Sequence, residues 1–143
     1  MTSSWSWLPL ALLSAFFAAL VSIFGKIGLS KIDSTVATMI RAAFMFLLLL
    51  AVVAFSGKWQ AIPSIQGRAL LFVALSGLAG ALSWICYFWA LQVGKVSQVA
   101  PIDRASAVIA LILAVSFLHE QLNWKSGLGG VLVVIGSVFI ALA

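Results

Sequence analysis

The sequence predicts an all-α integral membrane protein with five transmembrane helices, and three observations lead there. Apolar residues make up 64% of the 143 and charged residues 8%, whereas roughly a quarter of residues are charged in soluble domains. Mean hydropathy is +1.24. Apolar stretches of about 20 residues, enough to cross ~30 Å of hydrocarbon, recur five times along the chain. Helix is the state that fits them. Open strands leave backbone groups unsatisfied in lipid, and these runs are about twice the length of a barrel strand.

The first stretch covers residues 7–29. Residues 1–26 carry neither a basic leading region nor a small-residue cleavage pattern, so they read as a retained span rather than a signal peptide. The second stretch covers 34–55, the third 68–91, the fourth 96–118 and the fifth 125–143. Short links join them at 30–33, 56–67 (with a turn-like Pro63), 92–95 and 119–124. Residues 1–143 therefore read as a single five-span transmembrane domain, and activity is expected within or across the bilayer.

A net charge of +5 would suggest nucleic acid in a soluble protein. Here the eight basic residues stand singly near span ends, where they anchor loops to lipid, so no nucleic-acid partner is expected. The single Cys86 allows no intrachain disulfide and no thiolate metal site. No metal, cofactor, catalytic triad or phosphate loop is indicated, which points away from an enzyme.

An odd number of spans puts the termini on opposite sides. The side bearing the N-terminus then holds Lys58, Arg68 and Lys125, and the other side holds Lys26, Lys31 and Lys95. Orientation follows the Lys/Arg bias between short loops, and three against three offers almost no bias. Counting the intramembrane Arg41 and Arg104 with the second side tilts the balance weakly toward placing that side in the cytoplasm. Trp5, Trp7, Trp59 and Trp124 fall on the N-terminal side and read as an interfacial belt.

Ionisable groups within spans are costly and mark functional candidates. Arg41 lies roughly 10 Å into the second span, at 1.5 Å per residue, and Asp103 and Arg104 are similarly placed in the fourth. Lys26 ends the first. Adjacent residues on a helix point ~100° apart, so Asp103 and Arg104 face different neighbours. On an unbroken helix, Asp103 continues along Ser106, Ala107, Ala110 and Ala114, and Arg104 along Ala107, Val108 and Leu111. Paired with Arg41 or Lys26, Asp103 stays ionised; desolvated, it is able to carry a proton, and both readings stay open. Pro101 has no N–H. It either frees the Ser97 carbonyl for a ligand or sits in the first turn behind Ser97 as N-cap. Trp84, Tyr87 and Phe88 form an aromatic stripe in the third span, with Trp84 and Tyr87 favoured as a cavity wall because their polar tips want partners. Structural roles fall to Gly77 with Ala81, and to Gly129 with Gly136, as helix-packing seams. Glu120 is placed to pair with Lys125 or to meet the positive start of the fifth helix.

Gly77 and Gly80, YFWAL at residues 87–91, VSQVAPIDRAS at 96–106, FLHEQLNW at 117–124 and GGVLVVIG at 129–136 together resemble the EamA-like domain of the drug/metabolite transporter superfamily. Lys26 followed by Gly28 and Leu29, and Arg41, are similar to that domain as well. The resemblance spans nearly the whole chain, with the fourth-span pattern as its specific part. Most superfamily members carry two such five-span domains, inverted, with a substrate cavity between them. A single copy is similar to the half-sized bacterial and archaeal branch. The resemblance implies a transporter of small metabolites or drugs in the inner (plasma) membrane. It implies an antiparallel homodimer working by alternating access, for which balanced loop charges are what insertion in both orientations requires. The excess of base over acid among the candidates leans toward anionic or zwitterionic substrates. The alternatives are a non-transporting lipid-binding or assembly subunit, and a passive channel.

Overall fold

The computed structural model describes residues 7–143. Among these, six α-helices and one 3₁₀ turn account for the regular structure: α1 Trp7–Gly28, α2 Ser34–Phe55, the 3₁₀ turn Lys58–Ser64, α3 Arg68–Val93, α4 Val96–Asp103, α5 Ser106–Leu118 and α6 Trp124–Leu142. Five spans are long and apolar enough to cross a membrane, α4 and α5 together (Val96–Leu118) counting as one. Trp5 of the expected aromatic belt lies outside the described residues. Buried apolar residues are few: Leu29, Phe88 and Leu91. The buried polar ones are Ser22, Ser34, Thr38 and Ser137, while most large apolar side chains are exposed. That inside-out distribution is stable only where the solvent is itself apolar, so the helices are embedded in a lipid bilayer.

Contacts divide the chain into two units, one containing α1 with α4, α5 and α6, the other α2 and α3. In the second, the Asp33 carboxylate caps α2, accepting from the backbone N–H groups of Thr35 (2.8 Å) and Val36 (3.1 Å). Replacing this cap removes the partner of two otherwise orphaned donors. Asp33→Ala is therefore expected to cost about 1 kcal/mol, read as a lowered Tm of the detergent-solubilised protein. Past α2, Gly57 and Gly67 adopt left-handed conformations (φ 66° and 61°) on either side of the 3₁₀ turn, a region glycine enters without strain. The end of α3 returns to the start of α2. Trp89 Nε1 donates to Thr35 Oγ1 at 3.2 Å, and Gln92 Nε2 to the Ile32 carbonyl at 3.4 Å.

In the first unit, α4 and α5 both pack on α6. Gln98 Nε2 donates to the Ala141 carbonyl at 3.2 Å. Gly130 is buried, and a Cβ there would stand 3.3 Å from Leu111 Cδ1 and 3.5 Å from Val108 Cγ2. The fourth span departs from the unbroken helix expected over 96–118. Arg104 N–H bonds the Pro101 carbonyl, Ala105 the Ile102 carbonyl, Ala107 that of Arg104 and Val108 that of Ala105, at 2.9–3.1 Å. Each bond reaches three residues back instead of four, so the chain is overwound between α4 and α5. The two faces drawn along the span by simple helical spacing shift accordingly. Val108, Leu111 and Ala114 are the half-buried positions of α5, whereas Ser106, Ala107 and Ala110 are exposed.

Pro101 also sits deeper than the first turn. The N-cap of α4 is Lys95, not Ser97 (φ −79°, ψ 145°), so Pro101 is a second-turn residue unable to donate to the Ser97 carbonyl. At the far end, His119 closes α5 in the left-handed region (φ 53°), and the Glu120 N–H reaches the Ala114 carbonyl at 3.3 Å. Histidine tolerates that conformation better than most side chains. The start of α6 is capped by Asn123, whose side chain accepts from the Lys125 N–H at 3.3 Å. Asn123 thus fills the N-cap position of α6, and Glu120 is exposed.

Candidate functional site

On α2, residues 34, 38, 41 and 45 succeed one another at helical spacing and share one face. Ser34 and Thr38 are buried, Arg41 and Met45 half-buried. Thr38 Oγ1 donates to the Ser34 carbonyl at 2.7 Å. The Arg41 guanidinium is held by aromatic rings of α3: its central carbon lies 4.2 Å from the Trp84 ring centroid and 4.7 Å from that of Phe88. A cation over a ring face is attracted by the π electrons, the more so where water is scarce. Arg41 Nη2 also approaches Met45 Sδ at 3.8 Å, a weak acceptor. Arg41 Nη1 and Ser34 Oγ are buried polar atoms without a hydrogen-bond partner among the described residues.

The structure thus joins two sequence candidates, Arg41 and Trp84, and adds Phe88. Tyr87 packs edge-on against Phe88 (centroids 5.6 Å apart, 84° between planes). Phe88 is the buried ring of the stripe, with Leu91 behind it. The signal for it was present in the spacing 84, 88, 91, which follows one helix face more closely than 84, 87 does. Beside Trp84 an open hollow of about 410 Å3 runs between α2 and α3, lined by Thr35, Thr38, Met39, Gly77, Trp84 and Ile85 among others. Gly77 borders this hollow, and a Cβ there would meet nothing within 4 Å in the chain.

In the other unit, Pro101 and Arg104 line a hollow of about 350 Å3 with Val96 and Ala100 of α4 and Ala15, Ala19 and Ser22 of α1. Asp103 is half-buried and Arg104 exposed. Lys26 Nζ donates to the Gly94 carbonyl at 2.8 Å. It ties the end of α1 to the link that opens the fourth span, giving Lys26 a positioning role. The seam on α6 is offset by one residue from the expected pair. Gly130 and Ser137 are buried, while a Cβ at Gly129 or Gly136 would meet nothing within 4 Å.

Five apolar spans with charged and aromatic groups gathered inside them define a multi-pass integral membrane protein. The chain belongs to the EamA-like transporter family, which matches residues 5–142, and it is a membrane transporter. Similar proteins carry matching names. The uncharacterized transporter in the cobO 3′ region of a Sinorhizobium species is 45% identical over 138 residues, covering 96% of this chain and 98% of that protein. The uncharacterized transporter YvbV of Bacillus subtilis (strain 168) is 32% identical over 137 residues, 90% of this chain but 42% of its own length. The uncharacterized protein MJ1333.1 of Methanocaldococcus jannaschii is 25% identical over 134 residues, covering 94% of this chain and 95% of that one. No solved structure matches. Family and relatives indicate a transporter rather than an enzyme.

Proposed function

We propose that the protein moves small metabolites or drugs across the bacterial or archaeal inner (plasma) membrane by alternating access, as an antiparallel homodimer. The observation that carries this reading is the even division of loop charge, three basic residues against three, in a transporter-family chain with an odd number of spans. Inverted repeats generate inward- and outward-open states when the halves exchange conformations, and two identical copies supply the inversion only by inserting in opposite senses. A same-length relative that is itself named a transporter supports a single five-span length as a working half. YvbV, matched over 42% of its length, has room for two.

In this reading Arg41, framed by Trp84, faces the substrate, with Tyr87 behind the rings. Asp103 and Arg104, where the fourth span is overwound, supply further charged groups, and Pro101 lines the same hollow as Arg104. A topology reporter fused after Ala143 is expected on both sides of the membrane in comparable amounts; a single uniform orientation overturns the antiparallel homodimer. In proteoliposomes, Arg41→Ala and Asp103→Asn are each expected to reduce uptake at least tenfold, the order of one lost charged contact. Unchanged transport by both removes these residues from the path.

A further inference from the structure

Overwinding of the fourth span decides what Arg104 faces. On a regular α-helix, residues three apart stand roughly 60° apart in projection, whereas in a 3₁₀ turn they eclipse. The Arg104 N–H bonds the Pro101 carbonyl at 3.1 Å, so the turn brings Arg104 over the face that carries Pro101. Both line the hollow of about 350 Å3 between α1 and α4. Asp103, adjacent in sequence, is not among the lining residues. The hollow therefore receives the cation without the neighbouring carboxylate.

The rest of its wall is small and apolar. Ala15, Ala19 and Ser22 succeed one another at helical spacing on α1, and Ala100 and Pro101 complete it from α4. The buried Ser22 hydroxyl donates to the Ala18 carbonyl at 3.1 Å. Among the lining residues Arg104 alone is charged, and its side chain is exposed. The volume is at the lower end of the ~300–1,000 Å3 of ligand pockets, so the body it suits is compact.

Depth separates the sources of an anion. Arg104 lies roughly 12 Å from Val96, where the span begins, at 1.5 Å per residue, and half of the hydrocarbon layer is ~15 Å. A phospholipid headgroup stays outside that layer, whereas a small solute carried across it passes this level. A cation so deep is costly in hydrocarbon, and an anion held against it lowers that cost.

We propose that Arg104 and the α1–α4 hollow bind a compact amphipathic monoanion, its carboxylate on the guanidinium and its aliphatic body against Ala15, Ala19 and Ala100. This rests on the transport reading for the ligand's role as substrate and deepens it by naming the substrate class. One cation in an apolar wall matches one negative charge, since a second would be buried unmatched. The planar carboxylate fits the in-plane donors of arginine.

The test is binding, measured apart from translocation. Isothermal titration calorimetry of the protein in phosphatidylcholine nanodiscs, with partitioning into protein-free nanodiscs subtracted, compares three probes that share one body: cyclohexanecarboxylate, the neutral cyclohexanecarboxamide, and the cation cyclohexylmethylammonium. The carboxylate is expected to bind saturably and about tenfold more tightly than the amide, the order of one charge-assisted hydrogen bond, with the cation weakest. Arg104→Gln is expected to bind carboxylate and amide alike, Arg104→Lys to recover part of the preference, and Ala19→Leu, which fills the hollow, to weaken both while keeping it. Equal binding of carboxylate and amide by the wild-type protein overturns the proposal, as does a preference that survives Arg104→Gln. Wild-type affinity in Ala19→Leu overturns it by placing the body elsewhere. Displacement of carboxylate and amide alike by added phosphatidylglycerol overturns it in favour of a lipid. Should Arg104→Gln not fold, the wild-type probe series and Ala19→Leu decide by the same outcomes. Flux of cyclohexanecarboxylate in proteoliposomes separates the two readings. Binding with the stated preference but no flux upholds the site and counts against transport; flux without the preference strikes the site and leaves transport standing.

Discussion

Replacing Lys31 and Lys95 with glutamine is expected to force the protein into one orientation and abolish transport. The exchange leaves Lys26 as the basic loop residue on its side against Lys58, Arg68 and Lys125 on the other. Counted over loop residues alone, a ratio of one to three favours a cytoplasmic N-terminal side. The complementary variant, Lys58→Gln with Lys125→Gln, leaves Arg68 against Lys26, Lys31 and Lys95 and is expected to insert the opposite way. All four substituted lysines are exposed, so loss of activity cannot be laid to a collapsed core. The signature is complementation: each variant alone transports no better than empty vesicles, and co-expression of the two restores uptake by pairing opposite halves. Reporter position at Ala143 and proteoliposome flux read the two outcomes separately. Full activity from either variant alone would show that parallel copies, or single chains, suffice.

How far such features can be read without coordinates depends on the kind of signal that encodes them. The five spans follow from hydropathy alone, because a run of about 20 apolar residues has few stable alternatives in water or lipid. Arg41 stood out for the same reason, as a charge where charges are expensive. Its partnership with Trp84 was half legible: both were expected at a cavity, but only the packing of α2 on α3 shows the ring beneath the guanidinium and Phe88 beside it. The caps Asp33 and Asn123 were available in principle, each a capping residue type directly before an apolar run. The overwound turn after Pro101 was not. Its break falls at Arg104 and Ala105, neither of which is a helix breaker, and it depends on how α4 and α5 each settle on α6.

The glycines of α6 show the same limit and lead to a sharp expectation. Gly129 and Gly130 are adjacent, and each has a small residue seven positions on, Gly136 and Ser137. A seven-residue repeat on a helix marks a face but cannot say which of two neighbouring faces is packed, since that is set by the rotation of the helix against its partner. The structure sets it: Gly130 is the position closed by Leu111 and Val108, and Gly129 is open. Gly130→Leu is therefore expected to overpack the α5–α6 contact and destabilise the protein by about 1–3 kcal/mol. Gly130→Ala brings one carbon within 3.3 Å of the movable tip of Leu111 and should cost far less. Gly129→Leu, meeting nothing within the chain, should leave the Tm near wild type. Thermal unfolding in detergent distinguishes the three, and equal losses from Gly129→Leu and Gly130→Leu would contradict the rotational setting of α6. If Gly129→Leu instead leaves the Tm unchanged but lowers the dimer fraction on gel filtration, the open face of α6 is where a second copy approaches. A leucine in place of Gly129 would keep two helices from the close backbone contact that small residues permit in lipid.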